Sequence, residues 1–221
     1  RALPKHQREL GLKVNTSNLC SEITLPTGAD HDGKERTAVC CLSSLNIETW
    51  DQWAEQEGFV EDVLRMLDNV LTSFIELAPD GMERAKYSAL RERSVGLGVM
   101  GFHSFLQAKN IPLESAMAKS WNLRIFKKIR READAASYIL AEERGACPDA
   151  QEKGMKARFS HKLAIAPTAS ISIICGGASA CVEPIPANVY THTTLSGAFS
   201  VRNPYLCALL AEKGMDTDAT W

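Results

Sequence analysis

The chain has 221 residues, of which 45% are hydrophobic and 24% charged, and its formal net charge is −2. This balance is typical of one large globular domain or two small ones, and it indicates neither a nucleic-acid surface nor a membrane surface. The seven cysteines lack the spacing of a disulfide framework, so a reducing, cytoplasmic setting is expected.

The first notable stretch, SNLCSEI, carries Asn18, Cys20 and Glu22 at alternate positions. Alternate residues of an extended chain share a face, whereas two residues apart on a helix diverge by about 200°. The flanking residues favour an extended or looped form, so the polar trio is expected to face a cavity while Leu19 and Ile23 anchor the segment. The same pattern also fits an ordinary edge strand with a half-buried cysteine.

A predicted strand over residues 37–47 contains the adjacent cysteines Cys40 and Cys41. Neighbouring residues of a strand point to opposite faces, so only one of the two thiols can share a cavity with Cys20. A thiol-disulfide protein that uses both cysteines is an alternative function, but opposed side chains argue against it.

Apolar residues at helical spacing predict helices over residues 59–77 and 83–93, after which GLGVMG matches the dinucleotide pattern GxGxxG. That pattern should follow an apolar strand, whereas here it follows a charged, helical stretch, and the acid at the expected distance, Glu114, opens a helix. The glycines are therefore expected to allow close packing of the chain. His103, in a predicted helix over residues 100–109, is expected to be a core histidine.

The rest of the chain alternates between further helices and short β-branched runs. Helices are predicted over residues 114–144 and 204–213, and strands over residues 162–166, 170–174 and 188–195. Strands separated by long helices predict crossover connections and a largely parallel α/β sheet.

The stretch APTASISII overlaps one of these predicted strands, but its residues also fit the start of a helix. Pro167 precedes Thr168, Ser170 and Ser172, whose hydroxyl and amide groups could form a helix start that binds phosphate. A strand and turn rich in serine and threonine is the alternative.

Together these stretches resemble the large, catalytic subunit of ribonucleotide reductase. In the order of that family, SNLCSEITLPT resembles the radical-cysteine loop, TAVCCLSSLNI the redox-cysteine strand and VGLGVMGFHSFL a glycine-rich helix start. APTASISIICGGASACVEPIPANVYTHTTLSG resembles the phosphate-binding loop and the segment after it. The resemblance implies an α/β fold, with residues 1–221 as a single partial domain from the C-terminal part of the family's ten-stranded α/β barrel, truncated at both ends.

The resemblance also implies a role for each matching residue. Cys20 would carry a transient thiyl radical, Glu22 would be the general base on the ribose 3′ hydroxyl, and Asn18 would orient the sugar. Cys40 would be one member of the redox-active pair, whose partner lies upstream in the family. The substrate phosphates would be held by a loop of four residues, namely Thr168, Ala169, Ser170 and Ile171.

The implied activity is reduction of ribonucleotides, as diphosphates, to deoxyribonucleotides for DNA precursor synthesis. VEPIPANVYTHTTLSG is more similar to class I chains, which imply a homodimer with a dimetal small subunit that supplies the radical, and thioredoxin or glutaredoxin as reductant. Adenosylcobalamin, in a class II enzyme, is the alternative radical source. No metal or cofactor is expected in this chain, because it has no CxxC, HExxH or Walker motif.

Two further expectations follow from the resemblance. The chain on its own is expected to turn over no nucleotide, since the family's radical-transfer tyrosines and the partner cysteine have no counterpart in its sequence. A phosphate-binding module without catalysis is an alternative function, although such a module would not need Cys20 and Glu22.

Overall fold

The computed structural model describes residues 3–221, which alternate between helices and short strands. The helices are α1 (Lys5–Glu9), α2 (Trp50–Trp53), α3 (Phe59–Leu77), α4 (Glu83–Glu92), α5 (Phe102–Ala108), α6 (Ala116–Arg144), α7 (Pro148–Gln151), α8 (Ile171–Ile174) and α9 (Pro204–Glu212). The strands are β1 (Gly28–Ala29), β2 (Glu35–Arg36), β3 (Cys41–Asn46), β4 (Val95–Met100), β5 (Val189–Thr194) and β6 (Gly197–Arg202). In this described part of the chain no helix is long and apolar enough to cross a membrane.

Three parallel segments form the centre of the fold. Strands β3 and β4 pair in parallel, with Cys41 opposite Val95. On the other side of β4, Leu97 forms a parallel bridge to Leu163, and the Val95 amide donates a hydrogen bond to the His161 carbonyl at 3.0 Å. The predicted parallel arrangement is thus confirmed for this part of the chain, although the strand predicted over residues 162–166 is reduced to a short bridge.

Helices connect these parallel segments and cover them. Helices α3 and α4 lie between β3 and β4 in the chain, and α5 and α6 lie between β4 and Leu163, as parallel pairing requires. One buried cluster joins the strands to Leu64 and Leu71 of α3 and to Ile125 and Leu140 of α6. The core therefore lies between the sheet and the two long helices.

The long helices agree with their predictions from apolar spacing. Helix α3 has the predicted bounds, and Gly58, with a φ of 80°, precedes it. Helix α6 begins two residues after the predicted start, where the Ser115 hydroxyl accepts a hydrogen bond from the Ala118 amide at 3.1 Å. Both predictions are confirmed because each helix has a continuous apolar face that packs into the core.

The stretch VGLGVMGFHSFL contains the expected helix start only in its second half, because its first six residues form the strand β4. All six residues of β4 are buried, and the helix predicted over residues 100–109 begins only at Phe102, after Gly101 with a φ of 76°. A Cβ atom built on Gly98 would lie 2.2 Å from the Ala164 carbonyl oxygen. Glycine is uncommon in strands, but here it lets the neighbouring chain approach closely, as the packing interpretation expected.

The strand predicted over residues 170–174 is also wrong. These residues form the short helix α8, because Thr168, with a φ of 54°, turns the chain and its carbonyl accepts from the Ser172 amide at 3.0 Å. Two glycines with positive φ, Gly176 and Gly177, end the helix. The helix start considered from the sequence is confirmed.

The C-terminal part of the chain contains an antiparallel hairpin. The strand predicted over residues 188–195 is β5, which pairs with β6 so that Val189 lies opposite Arg202. The parallel arrangement does not extend to this hairpin. Helix α9 follows, as predicted, and the Asn203 side chain accepts a hydrogen bond from the Tyr205 amide at 3.0 Å.

Candidate active site

The SNLCSEI segment forms a turn at its centre. The Ser21 amide donates to the Asn18 carbonyl at 3.2 Å, and Ser21 has a φ of 59°. Leu19 is fully exposed and the Cys20 thiol is free and exposed. Of the two expected forms, extended or looped, the segment therefore adopts the looped one, because the positive φ of Ser21 reverses the chain. The expectation of an anchoring Leu19 is wrong.

The segment is anchored on its C-terminal side instead. Ile23 and Leu25 are buried in a cluster with Ala164, against which Cys40 also packs. The Asn18 side-chain oxygen accepts from the Ile23 amide at 3.4 Å, so the carboxamide spans the turn. The predicted anchor Ile23 is confirmed.

Asn18 and Cys40 meet at one cavity of about 380 Å³. Its lining consists of small polar and apolar side chains from the loop, from the residues before β3 and from the start of β3: Thr16, Ser17, Asn18, Ile23, Leu25, Thr27, Thr37, Ala38, Cys40 and Leu42. Cys20 and Glu22 are not among these residues. One Glu22 carboxylate oxygen is nevertheless buried without a hydrogen-bond partner in the described part of the chain.

Cys40 and Cys41 lie on opposite sides of the sheet, as the strand alternation predicts. Cys40 packs with the loop anchors, whereas Cys41 packs against the main core. Burial raises the pKa of the Cys40 thiol to about 12, and Cys41, Glu92 and Glu22 add to the effect when they are ionised. Cys40 is therefore a protonated thiol at neutral pH.

The predicted phosphate loop lies where the third parallel segment ends. Thr168 is buried and its hydroxyl accepts from the Cys181 amide at 2.8 Å, so this group holds the loop. Ala169, Ser170 and Ile171 are exposed, and their amides donate no hydrogen bond within residues 3–221. The loop is not part of the lining of the cavity that holds Asn18 and Cys40.

Histidine and the potential metal ligands form no second reactive centre in the part of the chain that the structure describes. His103 accepts a hydrogen bond through Nδ1 from the Ile185 amide at 3.0 Å, and burial lowers its pKa. Its interpretation as a structural histidine is confirmed. Over residues 3–221, no three potential ligands among histidine, cysteine and acidic side chains come together as in a metal site.

The sequence interpretation missed two cavity-lining residues that alternate with Cys40 along the predicted strand over residues 37–47, of which only residues 41–46 form β3. Ala38 and Leu42 lie two positions before and after it, and both line the cavity. Strand alternation was a sufficient signal for them.

Comparison with known families agrees with this arrangement. The model of the family "Ribonucleotide reductase, barrel domain" matches residues 4–157 and 148–220. The chain belongs to this ribonucleotide reductase family. Its fold class, an α/β fold that forms part of the family's barrel, is thereby confirmed.

Relatives within the ribonucleotide reductase family include viral proteins. The ribonucleoside-diphosphate reductase large subunit of Invertebrate iridescent virus 3 is 47% identical over 219 residues, which are 99% of this chain and 34% of that protein. The large subunit of Invertebrate iridescent virus 6 is 50% identical over 194 residues, which are 88% of this chain and 20% of that protein. The chain thus spans about a fifth to a third of these relatives.

A solved structure has the same fold. The class Id ribonucleotide reductase alpha subunit of Actinobacillus ureae superposes with a TM-score of 0.87 at 38% identity. The match covers 100% of this chain and 39% of that one. The helix and strand order described above is therefore that of a ribonucleotide reductase alpha subunit over this segment.

Proposed function

We propose that this chain forms part of the catalytic barrel of a ribonucleoside-diphosphate reductase large subunit, which converts ribonucleotides to deoxyribonucleotides. The observation that carries the proposal is the cavity lined both by Asn18, in the turn of Cys20, and by Cys40, which directly precedes β3. The loop of the thiol that would carry the radical thus lines the same cavity as the thiol that would supply electrons. The family membership supplies the reaction that needs both.

The turn would carry the radical half of the reaction. A thiyl radical at Cys20 takes the hydrogen atom from the ribose 3′ carbon, so an S–H bond forms as a C–H bond breaks. Glu22 takes the proton of the 3′ hydroxyl, and the 2′ hydroxyl leaves as water with a proton from the dithiol that includes Cys40. The exposed Cys20 and the unpartnered Glu22 oxygen support these roles, and Asn18 would orient the sugar.

Cys40 would supply the reducing half. With a second cysteine it forms a dithiol that becomes a disulfide and gives two electrons and two protons to the substrate. The raised pKa of Cys40 supports this role, because a protonated thiol brings a proton with each electron. Cys41 faces the main core and would take no part.

The loop of Thr168, Ala169, Ser170 and Ile171 would hold the substrate phosphates. The three amides without acceptors and the exposed Ser170 hydroxyl would bind the phosphate oxygens. Thr168 would act through its backbone turn, since its hydroxyl is occupied by the Cys181 amide.

The radical would come from a separate dimetal small subunit, as in class I. The structural match to a class Id alpha subunit supports this source over adenosylcobalamin. The complete protein would act as a homodimer, with thioredoxin or glutaredoxin as the external reductant.

The decisive experiment replaces the radical thiol. The matching segment of the Invertebrate iridescent virus 3 large subunit is exchanged for this chain, and deoxyribonucleotide formation is measured with the small subunit present. Cys20→Ser should abolish product formation and leave nucleotide binding unchanged, because oxygen does not replace sulfur as a hydrogen-atom carrier.

The matched control is Cys207→Ser, a cysteine of α9 outside the site, which should keep the activity of the chimera. Product formation by the Cys20→Ser chimera at the rate of the control would refute the role of Cys20. Turnover that depends on added adenosylcobalamin and not on the small subunit would refute the class I assignment.

A further inference from the structure

The space in front of Gly96 is bordered by two elements of the fold. Gly96 lies opposite Leu42 in the β3–β4 register. A Cβ atom built on Gly96 would lie 2.5 Å from Leu42 Cδ2 and 2.9 Å from the Ala164 Cβ. Gly96 is not among the residues with positive φ, so the position requires glycine for space and not for backbone conformation.

The same space borders the candidate reaction centre. The Cys40 sulfur lies 3.5 Å from the position of that Cβ atom. Ala164, on the other side, belongs to the cluster of Ile23 and Leu25, which anchor the loop of Cys20. A side chain at residue 96 would therefore press on the strand of one thiol and on the anchor of the other.

We propose that Gly96 is a positioning residue of this centre: the absence of its side chain lets the Cys40 thiol lie against β4 and lets the Cys20 loop dock beside it. That the two positioned thiols take part in nucleotide reduction rests on the proposed function. The steric relation between residue 96 and the two thiol-bearing segments does not.

Gly98 provides a matched comparison on the same strand and the same face. A Cβ atom on Gly98 would meet the Ala164 carbonyl oxygen at 2.2 Å and the Ile165 Cα at 3.1 Å, which are backbone atoms. The Cys40 sulfur is not among its three nearest atoms. Substitution of Gly98 should therefore disturb the sheet without acting on Cys40 in particular.

The test measures the alkylation of individual cysteines in the 221-residue chain by iodoacetamide, with peptide mass mapping, from about pH 7 to about pH 10. The readout is the rate at Cys40 divided by the rate at the exposed Cys20. In Gly96→Ala this ratio should fall by about tenfold over the whole pH range, because the added methyl group overpacks the space beside the sulfur. In Gly98→Ala the ratio should stay within about twofold of the original chain, a change typical of a site that does not contact the thiol.

A second variant removes the closest contact. The double variant Gly96→Ala with Leu42→Ala lacks the Cδ2 atom that opposes the new methyl group. Its labelling ratio should therefore lie close to that of Leu42→Ala alone, which means that most of the loss seen in Gly96→Ala is recovered. Labelling of Cys147, which has no exposed surface, reports unfolding in every variant. If Gly96→Ala alone unfolds, the pair and Leu42→Ala supply the comparison.

Three results would overturn the proposal: an unchanged ratio in folded Gly96→Ala, an equal fall in Gly98→Ala, or unfolding of both variants that carry Gly96→Ala. The last would assign Gly96 to the packing of the sheet as a whole. The labelling ratio needs no nucleotide reduction, so an inactive chimera with the expected ratios would fault the proposed function and not this inference.

Discussion

Glu92, at the end of α4, is a carboxyl group with no exposed surface. Its Oε2 atom accepts hydrogen bonds from Gln7 Nε2 at 3.2 Å and from the Ser94 hydroxyl at 3.0 Å. Its Oε1 atom has no partner in the described part of the chain. Burial raises the pKa of Glu92 to about 8, so the carboxyl is largely protonated at neutral pH.

This raised pKa makes the free energy of unfolding depend on pH. Between about pH 4.5 and about pH 8 the unfolded chain releases the Glu92 proton and the folded chain keeps it, so the contribution of this group to stability falls as pH rises. Glu92→Gln removes the titration. The free energy of unfolding of Glu92→Gln, minus that of the original chain, should therefore increase from pH 5 to pH 8 in urea titrations.

The control for Glu92 is Glu76→Gln, a change of the same type at an exposed position of α3. Its difference from the original chain measures the effect of the same substitution where the carboxyl group is exposed. A pH-independent difference for Glu92→Gln would show that Glu92 is ionised in the folded state.

Among the elements, α3 carries one buried carboxylate, Asp68, which binds three arginines from other parts of the chain. Asp68 Oδ1 accepts from Arg93 Nη2 at 2.7 Å and from Arg158 Nε at 2.9 Å, and Oδ2 accepts from Arg144 Nη1 at 2.8 Å. Burial alone would raise the pKa of Asp68, but the Arg158 hydrogen bond and the Arg93 charge outweigh it, and the pKa is lowered. Three guanidinium groups thus depend on a single negative charge.

Loss of that charge should be costly. Asp68→Asn leaves buried guanidinium groups without their counter-charge, so the free energy of unfolding should fall by ~3–5 kcal/mol in chemical denaturation. Asp62→Asn, at an exposed position of the same helix, should change it by no more than about 0.5 kcal/mol. Equal effects of the two substitutions would show that the arginines find other partners or solvent.

In the whole molecule, burial is unevenly distributed along the chain. All six residues of β4 are buried between two parallel neighbours, whereas in the β5–β6 hairpin no residue is fully buried. A two-stranded hairpin with little buried surface adds little stability of its own. The sheet around β4 is therefore expected to be the most stable unit and the hairpin the least stable.

Hydrogen exchange followed by mass spectrometry checks this order. Peptides from β4 should exchange most slowly, because their amides become accessible only in the openings of highest free energy. Peptides from residues 189–202 should exchange much faster at the same pH and temperature. The helix α6, which packs in the main core, serves as an internal reference for slow exchange. Protection of the hairpin equal to that of β4 would contradict this order.

Local patterns predicted several features correctly. The bounds of α3 follow from apolar residues one helical turn apart, and the opposed thiols of Cys40 and Cys41 follow from strand alternation. Motif order also indicated the family before any contact was known. These features depend on neighbours in the chain, which a sequence displays directly. The catalytic roles of Asn18, Cys20 and Glu22 stay predictions.

The sequence by itself determined the long helices, the family and the types of reactive residue in this protein. Only the tertiary structure decided that GLGVM is a buried strand, that Cys20 lies on a turn and that Asn18 shares a cavity with Cys40. The surroundings of the strand and of the cavity depend on Ala164, which lies far along the chain and packs against both the glycine strand and the loop anchors. Such contacts are set by the available space between distant segments, and local propensity carries no information about that space.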